Sequence, residues 1–230
     1  MSSLEGNEFP IPPEWKGTAA QYFWAYEQHS HPRPFPLFKP GDIVFSRYHG
    51  FIGNAIALLD LGKRGAWSHV SVYYGDGMVA ESTAPRGGIN PIAKWMDKKH
   101  SLEIWRVPDS VWAPHFKYRL TETAGQLVKG TPYDYLNIVR HLLDFVPAAL
   151  FKFRPFERWV RDRDGMGRMV CSEAVGWSYF KVAGKPILPD IRAGQETPEE
   201  LYCGVQDLLH GNLVFSHRKG TIQHIGWDVA

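Results

Sequence analysis

The sequence predicts an α+β fold on three observations: β-rich runs crowd the first half, helical spacing takes over in the second, and no internal repeat or low-complexity linker divides the 230 residues. A chain of this length buries enough surface to build one substantial core. With 44% hydrophobic, 14% aromatic and 22% charged residues it has the composition of a globular domain, not of a disordered or fibrous chain. The expected organisation is a proline-rich arm over residues 1–39 followed by one domain over residues 40–230.

The arm carries Pro10, Pro12, Pro13, Pro32, Pro34 and Pro36, with one short helix predicted from Thr18 to Gln28. After the turn Pro40-Gly41-Asp42, the run Ile43-Val44-Phe45-Ser46 reads as a strand, and Phe51 to Leu61 has helical spacing that Gly62 stops. Ser68 to Tyr74, the turn Gly75-Asp76-Gly77 and Met78 to Thr83 together predict a β-hairpin. Leu102 to Val107 is a further strand, closed by Pro108; helices are predicted at Phe116 to Val128 and Leu136 to Phe145. Phe151 to Arg168 sets arginines among aromatic residues and leads through Gly165 and Gly167 to a helix from Cys171 to Val182. That helix has a small-residue face at Cys171, Ala174, Val175 and Ser178, suited to close approach to a sheet. Thr197-Pro198-Glu199-Glu200 predicts another helix start, with Thr197 as N-cap and Glu200 three residues on.

Charge and cysteine content narrow the function classes. A formal net charge of +2 is too mild for a dedicated nucleic-acid binder. The two cysteines, Cys171 and Cys203, do not make a disulfide framework, and free thiols in a reducing compartment fit better. The first eight residues lack the basic and apolar regions of a secretory signal. The most apolar stretch, Tyr135 to Phe153, is broken by charged residues and by Pro147, so no transmembrane segment is expected and the predicted location is cytoplasmic.

A thiol attacks as thiolate, and a helix start favours that charge while its free N–H groups can receive an oxyanion. Cys171 occupies such a start; taken alone, it reads as a small core residue. A nucleophilic cysteine needs a base, and His69 sits at the start of a predicted strand. Glu81, on the partner strand beside Met78-Val79-Ala80, is an awkward charge unless it pairs. A three-residue loop Gly75-Asp76-Gly77 sets Tyr74 opposite Met78, Ser71 opposite Glu81 and His69 opposite Thr83. Glu81 and His69 are then diagonal neighbours on one face, about 7–8 Å apart at the backbone and within side-chain reach. A two-residue loop without a bulge puts Glu81 on the other face.

Taken together, Pro40-Gly41-Asp42-Ile43-Val44-Phe45, Ser68-His69-Val70, Val79-Ala80-Glu81, Tyr133-Asp134 and Cys171-Ser172-Glu173 resemble the YiiX-like branch of the permuted NlpC-type cysteine peptidases. The resemblance covers roughly Pro40 to Leu209; each motif is short, and their order and spacing carry the specificity. It implies a circularly permuted papain-like fold, with an antiparallel sheet and the nucleophile at a helix N-terminus. It also implies His69, Glu81 and Cys171 as the catalytic set and Tyr133 as a pocket residue near the cysteine. The implied substrate is a peptide, peptidoglycan or lipid amide, or an ester, with no cofactor. Glu173 reads more simply as a favourable charge in the first turn of a helix.

Three rival readings stand beside this one. Zinc could use His69, Glu81 and Cys171, with His217 and His224 near the end, although no spacing forms a zinc signature. An acyltransferase of the lecithin:retinol type would use the same thiol. A non-catalytic binding module would turn the segment from Arg154 to Arg168 toward an anionic partner.

Overall fold

A computed structural model describes residues 38–50, 67–108, 115–135, 168–191, 196–219 and 221–225. Nearly all of the proline-rich arm, the helices expected over residues 18–28, 51–61 and 136–145, and the arginine-rich segment up to residue 167 lie outside the described residues.

The protein is a mixed α+β structure built on a seven-stranded antiparallel sheet. Its strands are β1 (Ile43–Tyr48), β2 (His69–Gly75), β3 (Met78–Glu81), β4 (Gly88–Pro91), β5 (His100–Arg106), β6 (Asn212–Arg218) and β7 (Thr221–Ile225), in the order β4-β3-β2-β1-β5-β6-β7. A 3-10 turn, Ile92–Trp95, links β4 to β5, and the α-helices among the described residues are α1 (Phe116–Val128), α2 (Cys171–Ala183) and α3 (Pro198–Cys203).

Residues alternate across the strands, so the sheet divides two cores. Phe45, Val70, Val72 and Ala80 pack with Leu120 and Ala124 of α1 and Ala174 and Val175 of α2. On the other face Val44, Tyr73, Val79 and Ile104 pack with Ile92 of the 3-10 turn, Met96 just after it and Phe215 of β6. The buried face of α2 includes Cys171, Ala174, Val175 and Ser178, as its small residues predict. At the start of β1, Asp42 accepts from Arg106 Nε at 2.9 Å and Nη2 at 2.8 Å, a buried two-point pair that joins the β1 turn to the end of β5.

The hairpin reaches the expected register by a different route. Its turn has two residues, Asp76 and Gly77, both at positive φ (48° and 73°), as a type I′ turn requires. Gly75 pairs with Met78, and a bulge at Tyr74 restores Tyr73 opposite Val79 and Val72 opposite Ala80. That phase sets Ser71 against Glu81 and leaves His69 and Glu81 on one face. The expected pairing of His69 with Thr83 does not form because β3 ends at Glu81; His69 pairs across its other side with Ser46.

Candidate active site

Cys171 is the first residue of α2, and the segment before it is fixed from two directions. Met169 N–H donates to Pro132 O at 3.1 Å, and Met169 O accepts from Ser82 Oγ at 2.6 Å and from Asp134 N–H at 3.3 Å. Ser82 follows Glu81 directly, so the hydroxyl that holds the approach to the cysteine grows from the strand that carries the glutamate. Glu173 accepts from Val170 N–H at 2.8 Å and so satisfies a backbone donor at the helix start. This fits its simpler reading as a capping residue.

His69 is 8% exposed at the start of β2, and the chain two residues earlier is tied down where Trp67 N–H donates to Glu199 Oε2 of α3 at 3.0 Å. The imidazole Nε2–H donates to Glu81 Oε2 at 2.8 Å. Cys171, 4% exposed, lies within hydrogen-bonding reach of the same imidazole, and the bond from Nε2 leaves the other ring nitrogen, Nδ1, for the thiol. The three residues singled out in the sequence are therefore together. Tyr133 lies near enough to Cys171 for the two charges to interact, and burial followed by that nearby charge pushes its phenol well above the ordinary range.

Two members of the site had no signal in the sequence. Trp95, at the end of the 3-10 turn, donates from Nε1 to Glu81 Oε2 at 3.1 Å and stacks on the His69 ring with centroids 4.7 Å apart and planes 24° from parallel. Lys94 places its ammonium on Glu81 Oε1. Glu81 is fully buried, yet its Oε2 accepts from two donors and an ammonium pairs with its Oε1, which is how a carboxylate survives burial. The Lys94-Trp95 pair follows a strand too short and too rich in Gly and Pro to be read, so nothing in the local pattern ties it to His69.

The electrostatics follow from these contacts. Burial works against an imidazolium at His69, but attraction and a hydrogen bond from Cys171, then those from Glu81, outweigh it and raise the His69 pKa to about 9. Burial also opposes the Glu81 carboxylate, and His69 and Lys94 overcome it, holding the group below its usual range. A buried carboxylate, an imidazole that keeps its proton, and a thiol at a helix start form an arrangement suited to attack on a carbonyl carbon.

The histidines considered for zinc are engaged elsewhere. His217 is buried and donates from Nε2 to Trp95 O at 3.0 Å, and His224 meets Leu213 O at 3.2 Å. Among the described residues no helix is long and apolar enough to cross a membrane.

No family model matches the chain. Over 128 residues, 56% of this chain, it is 30% identical to the probable lipoprotein peptidase YaeF of Escherichia coli (strain K12); the match covers 44% of that protein, so this chain spans less than half the length of a peptidase to which it is similar.

Proposed function

We propose that the protein is a cysteine hydrolase of the permuted papain-like type, cleaving an amide or ester bond through an acyl-thioester on Cys171. The observation that carries this reading is the buried Nε2–H donation from His69 to Glu81 at 2.8 Å, with the thiol of Cys171 within reach of the same ring. The likeness to a peptidase supports the reaction class, and an antiparallel sheet packed against a cysteine-bearing helix supports the fold type.

In the first step the Cys171 sulfur, its proton held by His69, attacks the carbonyl carbon and the C=O pair moves onto oxygen. Backbone N–H groups at the start of α2 receive that oxyanion. Collapse breaks the bond to the leaving group, which takes the imidazolium proton, and the acyl group stays on sulfur. Water then gives a proton to His69 and its oxygen to the acyl carbon, and the thiol is regenerated. Glu81 holds the imidazole in one orientation throughout, and Tyr133, close to Cys171, lines the pocket.

Screening peptide, peptidoglycan, lipid-amide and ester substrates with the intact chain and with Cys171→Ala tests this. Activity with at least one carbonyl substrate and its loss by a factor of about 10⁴ or more in the variant is expected. Activity that survives in Cys171→Ala removes the nucleophile.

A further inference from the structure

We infer that Trp95 is a positioning residue for the candidate base, holding the plane of the His69 imidazole and shielding its bond to Glu81 from water; the inference rests on His69 serving as that base.

Four contacts converge on this one side chain and its peptide. The indole lies against the imidazole with ring centroids 4.7 Å apart and planes 24° from parallel, so the flat face of one ring covers the flat face of the other. Its Nε1–H donates at 3.1 Å to Glu81 Oε2, the same oxygen that accepts from His69 Nε2–H at 2.8 Å. The His100 ring meets the indole in a T-shaped arrangement, with centroids 5.0 Å apart and planes 86° apart. Behind the ring, Trp95 O accepts from Nε2 of the buried His217 at 3.0 Å.

The turn that carries Trp95 cannot shift easily. Ile92 and Met96, on either side, are fully buried, and Ile92 N–H donates to Gly77 O at 2.8 Å. Lys94, one residue earlier, lies over the indole at 5.0 Å from its centroid while its ammonium sits on Glu81 Oε1. Imidazole N–H and indole N–H thus share Oε2 of one carboxylate while the ammonium sits on Oε1. A ring stacked on the base and bonded to the same acid oxygen restricts the torsional freedom that lets an imidazole leave its reacting orientation. It also occupies the position from which water would compete for Glu81.

A residue that only filled the core would change stability and leave the state of the imidazole untouched. The test therefore reads His69 itself. In Trp95→Phe an aromatic face remains but the indole N–H is gone; in Trp95→Leu both are gone. The probe is hydrogen exchange of the His69 Nε2 proton in ¹⁵N-imidazole NMR spectra of the resting full chain, which needs no substrate. We expect this proton to be protected in the unaltered protein, to exchange at least about tenfold faster in Trp95→Phe, and to be lost to exchange in Trp95→Leu. Where Trp95→Leu shows no cooperative melting, the result for Trp95→Phe decides. With a substrate in hand, kcat should fall roughly 10- to 100-fold in Trp95→Phe at nearly constant KM. Unchanged exchange in Trp95→Phe overturns the positioning role even if Cys171→Ala is inactive. Accelerated exchange supports it even if Cys171→Ala keeps its activity, in which case the proposed hydrolase fails alone.

Discussion

Burial alone would make His69 a weaker base than a free imidazole, and its partners reverse that outcome. The charge and hydrogen bond of Cys171 and those of Glu81 lift the imidazole to about 9. Because Cys171 heads the contributions that raise it, Cys171→Ala should lower the His69 pKa by at least one unit in an NMR titration; an unmoved titration would mean that thiol and imidazole are not coupled. Stability follows the same linkage. A histidine whose folded pKa is raised adds stability that is fully present below its unfolded value near 6.5 and is lost as pH climbs through about 9. Glu81, held below its usual range, adds stability above that range that is lost as pH falls through its lowered value. Thermal unfolding followed from pH 7 to 10 should therefore show a decline in the unaltered protein that flattens in His69→Gln. Of these residues only Glu81 stood out by itself, because a charge among Val79 and Ala80 is awkward unless it pairs; Cys171 taken alone reads as a small core residue, and it became a candidate only beside His69, Glu81 and the order of the motifs. Trp95 and Lys94 were not, since their meaning lies wholly in partners on other strands.

At the level of elements, the hairpin was legible in outcome but not in route. The phase that brings Glu81 to the face of His69 was expected from a three-residue loop; the chain makes a two-residue turn and inserts Tyr74 as a bulge. Both solutions add one residue, and the face of Glu81 depends only on that parity. Helix α1 was read to its ends because its spacing is unbroken over thirteen residues. Helix α3 was read from its cap. Thr197 Oγ1 accepts from Glu200 N–H at 3.2 Å and Glu200 Oε2 accepts from Thr197 N–H at 2.9 Å, with Pro198 between them. Thr197→Ala should cost about 1 kcal/mol in chemical denaturation. A loss within error would mean that tertiary contacts alone hold α3 in place.

Across the whole molecule, strands first and helices afterwards was only half of the order. Three strands escaped the sequence pattern. Gly88–Pro91 has poor strand formers and persists as β4 because it lies at the sheet edge, where a proline is tolerated. In β6 a shift near Ile104 and Trp105 passes over Val214, and between β6 and β7 another passes over Gln223; each bulge breaks the period of two that would have announced a strand. Both strands also lie beyond the segment that carries the motif resemblance. The sheet they extend is tied at its centre by the buried pair of Arg106 and Asp42. Arg106→Leu leaves that carboxylate buried without its cation and should destabilise the fold by about 3–5 kcal/mol in urea denaturation, whereas a change under about 1 kcal/mol would mean that water reaches Asp42.

The proposed chemistry needs a reactive pair of Cys171 and His69, and the chain carries its own control. Cys203 is more exposed than Cys171, so access alone predicts that Cys203 is alkylated first. The measurement is the rate of iodoacetamide labelling at each cysteine at pH 6, resolved by peptide mass spectrometry, in the unaltered protein and in His69→Gln. An imidazolium beside the Cys171 sulfur predicts that Cys171 is labelled at least about tenfold faster than Cys203 and that His69→Gln abolishes the difference. Equal and slow labelling at both positions, or labelling of Cys203 first, would contradict it.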